Sequence, residues 1–182
     1  MDNLLKERKG VGVIVCRMQV PYLTDSHKSV INTVLTRHPR VIIFLGTTNK
    51  PIDEKNPYPF EFRKTMIEKS FDVGNERITI LPLPDNDDNK LWVKILDSFI
   101  GSFLSYDEDA VLYGGRDSFI PYYKKDKGKF DCTELAPTDY DSGTELRTLE
   151  SIKLPSYTPE SASAILWTMR QLKNKLKTIT TK

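Results

Sequence analysis

The residues best able to do chemistry sit in short polar stretches that follow apolar runs. Thr24-Asp25-Ser26-His27 comes after the run Val11–Cys16. A helix that begins here would expose unpaired N–H groups and the positive end of its dipole, which together hold phosphates. His27 can then donate a hydrogen bond to a phosphate or a leaving oxygen. Thr24 offers a hydroxyl, and the small Ser26 lets a phosphate approach the backbone. The same four residues also read as a capping cluster with a surface histidine. A second stretch, Ser142-Gly143-Thr144-Glu145-Leu146-Arg147, has the same design. Ser142 caps, Gly143 permits close approach, Glu145 suits a first helical turn, and Arg147 can fold back over an anion. A capped helix with an exposed arginine fits equally well. Arg17 ends its apolar run with a charge, which faces either a ligand or a carboxylate. The G-x-x-x-x-G-K-[ST] phosphate loop is absent, so a P-loop NTPase is not indicated. Neither a zinc site nor any other set of protein metal ligands is supported.

These residues need a scaffold, and the hydrophobic pattern supplies one. Val11–Cys16, Val41–Leu45, Ile78–Leu83, Ala110–Tyr113 and Phe130–Leu135 read as buried strands. Ser26–Arg37, with Val30, Ile31, Val34 and Leu35 on one face, reads as a helix. Helices are also predicted over Phe60–Phe71, Asn89–Leu104 and, briefly, Asp117–Tyr123. A helix is expected to start near Ser142, and a last one to span Glu160–Lys177. Strand and helix alternate, which predicts an α/β, Rossmann-like, doubly wound parallel sheet of about five strands with helices on both faces. Ligands of such sheets bind beyond the carboxyl ends of the strands, where the polar stretches fall. One domain spanning 1–182 is expected, with 156–182 a C-terminal helical extension. That helix closes the core or pairs with another subunit, so a homo-oligomer stays open.

Bulk composition narrows the class. The chain has 182 residues, 38% hydrophobic and 29% charged, with a formal net charge of +2. The charge is too small to argue for nucleic acid, and no apolar run is long enough to span a bilayer. The opening MDNLLKERKG lacks the apolar core of a signal peptide, and Cys16 and Cys132 read as buried thiols. A cytoplasmic protein that binds small anions is expected, with no nucleic-acid or membrane partner. Trp167 reads as packing, His38 as a surface residue, and the run Lys124, Lys125, Lys127 and Lys129 as a solvated loop.

Four stretches carry a family resemblance. Arg17-Met18-Gln19-Val20-Pro21 with Thr24-Asp25-Ser26-His27 resembles the signature loop of the (H/T)xGH nucleotidyltransferases. Ser142–Arg147 is similar to their S-x-T-x-x-R motif. Asn56-Pro57-Tyr58-Pro59-Phe60-Glu61-Phe62-Arg63 resembles the N-P-F-T-F-x-x-R stretch of archaeal-type nicotinamide-nucleotide adenylyltransferases. Asn89-Lys90-Leu91-Trp92-Val93 resembles their N-x-x-W segment. The match covers residues 10–150 with the motifs in order, and similar domains also occur fused to Nudix hydrolases. No Nudix box is present in this chain.

The resemblance implies transfer of AMP from ATP to nicotinamide or nicotinate mononucleotide, with Mg²⁺ carried on the ATP phosphates. It implies that His27 stabilises charge as pyrophosphate leaves and that Thr24 holds a phosphate oxygen. Arg17 and Arg147 would clamp the triphosphate, and Ser26, Ser142 and Thr144 would line the phosphate site. Gly46 and Gly115 would let backbone approach the nucleotide. Asn89 and Trp92 would bind the nicotinamide end, and Lys55 would add a basic contact there. The sequence departs from the pattern at Ser26 and Cys16, where the family has glycine, and its first loop is two residues longer. A transferase with another acceptor or with CTP as donor, and a non-catalytic nucleotide-binding regulator, are the competing readings.

Overall fold

The computed structural model describes residues 10–53, 55–71, 76–115 and 118–135. Ser142, Thr144, Arg147, the expected helices from 142 onward and the extension 156–182 lie outside the described residues. Five strands form one sheet: β1 (Val11–Cys16), β2 (Arg40–Leu45), β3 (Ile78–Pro82), β4 (Ala110–Gly114) and β5 (Asp131–Glu134). Their order is β3-β2-β1-β4-β5, and every adjacent pair is parallel. Between them run α1 (Asp25–Arg37), α2 (Phe60–Ser70), α3 (Asn89–Phe103) and α4 (Ile120–Lys125). The doubly wound parallel sheet is as the alternating pattern predicts.

Strand alternation splits the core in two. On β2, Val41, Ile43 and Leu45 pack with Ile31 and Val34 of α1 and with Met66 and Ile67 of α2. Ile42 and Phe44 face the other way, against Val93, Leu96 and Ile100 of α3 and Tyr123 of α4. This two-sided burial is why β2 reads as a continuous apolar run instead of an alternating one. Each fully buried aliphatic side chain contributes about 1.5–3 kcal/mol. The helices are thereby fixed on both faces, with their amino ends at the carboxyl edge of the sheet.

Two readings need correction. His38 is not a surface residue: it is buried, closing α1 just before Pro39. Its Nε2 lies 2.8 Å from the Tyr113 hydroxyl and its Nδ1 3.3 Å from the Gly10 carbonyl. A carbonyl only accepts, so Nδ1 carries the proton. The ring fits because Gly12 leaves room: a Cβ there would lie 2.9 Å from His38 Cδ2. The fourth helix also starts later than the pattern predicts, at Ile120, and runs on to Lys125. Pro121 needs no N–H partner in a first turn, so the helix begins there. Lys124 and Lys125 form its last turn, where cations suit the dipole, so only Lys127 and Lys129 belong to the loop.

Candidate functional site

In the order β3-β2-β1-β4-β5 the chain leaves β1 toward β2 on one side and later returns to β4 on the other. Sheets of this order take their ligands at such a reversal, beyond the carboxyl ends of the two strands that flank it, here β1 and β4. Arg17 leaves β1 there with an exposed side chain, and α1 starts eight residues later at Asp25. Gly115 follows β4 on the facing rim.

The start of α1 is a capping box closed by a histidine. Thr24 is the N-cap, and its hydroxyl accepts from His27 N at 3.3 Å. In return Thr24 N–H donates to His27 Nδ1 at 3.4 Å, and Thr24 Oγ1 lies 2.7 Å from the same nitrogen. A nitrogen that accepts an N–H carries no proton, so the hydrogen of the neutral ring sits on Nε2. Thr24 is 3% exposed, so its hydroxyl is committed to His27. The cap takes the His27 N–H only. By helix geometry the Asp25 and Ser26 N–H groups point out of the helix end. Ser26 is partly buried in this first turn, and Asp25 is exposed.

Behind this rim lies a polar network that the motifs did not single out. Gln19, 4% exposed, accepts from Tyr58 N at 3.0 Å and donates to Thr47 Oγ1 at 3.3 Å. Thr47 donates through its hydroxyl to the Gly46 carbonyl at 2.6 Å and through its N–H to Asp85 Oδ1 at 3.2 Å. Asn49 and Asp85 exchange side-chain and main-chain bonds of 2.9 and 2.7 Å, joining the loops after β2 and β3. Arg63 reaches under both strand ends and donates to the carbonyls of Arg17 and Gly46, at 2.6 and 2.9 Å. Its only forewarning was its place in the Asn56–Arg63 stretch.

The other expected residues fall around the same edge. Asn89 is exposed at the first position of α3, after the N-cap Asp88, whose carboxylate accepts from Lys90 and Leu91 N–H. Trp92, one turn on, is partly buried and packs on Phe119 at 5.8 Å between ring centres. Lys55 is exposed in the loop before α2. A Cβ on Gly46 would meet nothing closer than 3.7 Å, and one on Gly115 nothing within 4 Å. One on Gly114 would lie 2.6 Å from Ser118 Oγ. Gly114 is therefore demanded by the protein's own packing, whereas Gly115 borders open space. Burial pushes the Cys16 thiol up to about 12, although Arg63 pulls the other way, so Cys16 stays protonated and is no nucleophile. Lys127 and Lys129, ahead of β5, lie at the opposite edge of the sheet from His27. Among the described residues no group of three or more His, Cys, Asp and Glu could hold a metal ion, and no helix is long and apolar enough to cross a membrane.

No protein-family model matches the chain. A nicotinamide-nucleotide adenylyltransferase of Archaeoglobus fulgidus is 27% identical over 148 residues, covering 77% of this chain and 82% of that protein. One of Pyrococcus horikoshii is 25% identical over 138 residues, covering 75% and 70%. Among solved structures, a bifunctional NMN adenylyltransferase/ADP-ribose pyrophosphatase of Francisella tularensis, complexed with AMP and a manganese ion, superposes with a TM-score of 0.75 at 23% identity. That match covers 92% of this chain but only 51% of the solved one, so the chain spans about half of that protein's length. In sequence the chain resembles the archaeal nicotinamide-nucleotide adenylyltransferases, and its fold is that of the solved adenylyltransferase.

Proposed function

We propose that this protein is an adenylyltransferase that joins AMP from ATP to nicotinamide mononucleotide, or its acid form, and releases pyrophosphate. The observation that carries the reading is His27 at the amino end of α1, its Nδ1 taken by Thr24, beside the end of β1 where the strand order reverses. The names of the archaeal relatives supply the acceptor.

A phosphate oxygen of the mononucleotide attacks the α-phosphorus of ATP. The bond to the β-phosphate breaks, and the new pyrophosphate linkage of NAD forms. Both reactants are anions, so the protein's work is alignment and charge neutralisation. His27 Nε2–H donates to oxygen on the phosphate chain as negative charge moves to the leaving group. The Asp25 and Ser26 N–H groups and the α1 dipole add to the field. Arg17 lends a mobile cation from the rim. Thr24 acts through His27 by fixing its ring and tautomer. Ser142, Thr144 and Arg147 are assigned further phosphate contacts on their motif alone. Asn89 and Trp92 are assigned the nicotinamide end and Lys55 the mononucleotide phosphate. Mg²⁺ enters as part of the nucleotide substrate, on its phosphate oxygens. We place the protein in the cytoplasm, acting on small molecules, with no nucleic-acid or membrane partner.

The test is pyrophosphate release with ATP or CTP as donor and a panel of phosphate acceptors. Release is expected only with ATP plus nicotinamide or nicotinate mononucleotide. Release with CTP or another acceptor would redirect the assignment, and none with any acceptor would leave a nucleotide-binding regulator. Gly115 gives a separate check. Gly115→Ala adds a methyl into open space, so melting should shift by no more than a surface change does, about 0.5 kcal/mol. The KM for ATP should rise about tenfold as the methyl occupies nucleotide space. An unchanged KM would remove Gly115 from the nucleotide contacts.

A further inference from the structure

We propose that Arg63 is a positioning residue for the nucleotide site, fixing the peptide planes that follow Arg17 and Gly46. The inference leans on the adenylyl-transfer reading for its kinetic test alone.

Arg63 is 1% exposed, on the face of α2 that also carries Met66 and Ile67 into the core. A charge so placed is costly unless paired. Burial lowers its pKa, and nearby Asp85 works against that shift. Its direct partners are main-chain carbonyls: Nη1 donates to both Arg17 and Gly46. Its Nε, also buried, has no hydrogen-bond partner. The guanidinium is thus set for those two carbonyls at the expense of its own saturation.

Both carbonyls precede a non-glycine residue in the left-handed region, Met18 at φ 45° and Thr47 at φ 60°. Such conformations are strained and persist only where the surroundings impose them. A trans peptide points its C=O and the following N–H in opposite directions. Turning both carbonyls onto Arg63 therefore turns the Met18 and Thr47 N–H groups away from it. Asp85 grips the Thr47 N–H, so the 46–47 peptide is held from both edges. The 17–18 peptide, which leads out of β1 beside the Arg17 side chain, is held by Arg63 on its carbonyl edge. Without the guanidinium both turns can relax to ordinary φ, carrying the Arg17 side chain and the Gly46 rim with them.

The experiment compares Arg63→Met, Arg63→Lys and, as a core control on the same helix, Ile67→Val. Melting temperature, amide exchange at Met18 and Thr47, ATP affinity and steady-state kinetics are read for each. Arg63→Met is expected to speed exchange at both amides and to lower kcat/KM about 100-fold, the scale of a small misplacement of reacting groups. Ile67→Val should lose stability with kcat/KM within about threefold of wild type. A folded Arg63→Met variant with unchanged exchange and kcat/KM would overturn the proposal. Should Arg63→Met not fold, Arg63→Lys decides in the same way, since the lysine stem ends one atom short of the place where Nη1 meets both carbonyls. If the wild type transfers no adenylyl group, the functional reading fails by itself. Exchange at Met18 and Thr47 and ATP affinity then judge Arg63: unchanged values in the variant reject it.

Discussion

His27→Ala is expected to lose about 100- to 1000-fold in turnover, the range for removing one preorganised donor at developing charge. ATP should still bind, with affinity within about tenfold of wild type, because the α1 dipole and the Asp25 and Ser26 N–H groups remain. The division follows from the capping box. Thr24 supplies an N–H to Nδ1 at 3.4 Å, so the ring enters the reaction with its proton already on Nε2. No reorganisation is required at the moment charge moves, and that is what the alanine variant forfeits. His27→Gln keeps a donor at roughly the depth of Nε2 and should recover part of the loss. Single-turnover rates and equilibrium ATP binding, measured on the same preparations, separate the two effects. Near-normal turnover in His27→Ala would exclude the mechanism. A loss of ATP affinity with the single-turnover rate unchanged would make His27 a ground-state contact only. Melting should fall modestly, since the Thr24 cap survives without its reciprocal bond.

Much of this site is legible in the amino-acid sequence, for a physical reason. Caps and strand ends are local: Thr24 and His27 are three residues apart, and β1 announces its end by replacing apolar residues with Arg17. The strands are legible because β2, buried on both faces, cannot hide a polar residue between Val41 and Leu45. Contacts between distant segments are not legible. Arg63 meets Arg17 and Gly46 across 46 and 17 residues, and no pattern within α2 distinguishes a buried arginine from an exposed one. The left-handed turns at Met18 and Thr47 are equally silent, because neither residue type favours them. His38 misleads for the same reason: a histidine before proline looks like the end of a surface helix, and its partners Gly10 and Tyr113 lie 28 and 75 residues away. The resemblance reaches further than local physics by marking the Asn56–Arg63 stretch, without saying what the arginine does.

Gly12→Ala is expected to be the most destabilising small substitution on β1. Its Cβ would lie 2.3 Å from Val34 Cγ1, and 2.9 Å from Cδ2 of the buried His38. Val34 is fully buried, and His38 is held between Gly10 and Tyr113, so neither can simply swing aside. Overpacking of this kind costs about 1–3 kcal/mol and occasionally more. At about 2–4 °C per kcal/mol for a chain of this size, melting should fall by roughly 2–12 °C. Val34→Ala tests the cause. Alone it should destabilise, through lost burial and the space it leaves. Added to Gly12→Ala it removes the closest clashing atom, so the double variant should be more stable than the sum of the two losses by about 1 kcal/mol or more. Simple additivity would mean that the strand, not α1, absorbs the added methyl. The substitution reaches the chemistry because α1 lies on β1 at the distance that a bare residue 12 allows. The same helix carries His27 at its far end, so a variant that keeps its fold but pushes α1 outward should lose turnover faster than it loses ATP affinity.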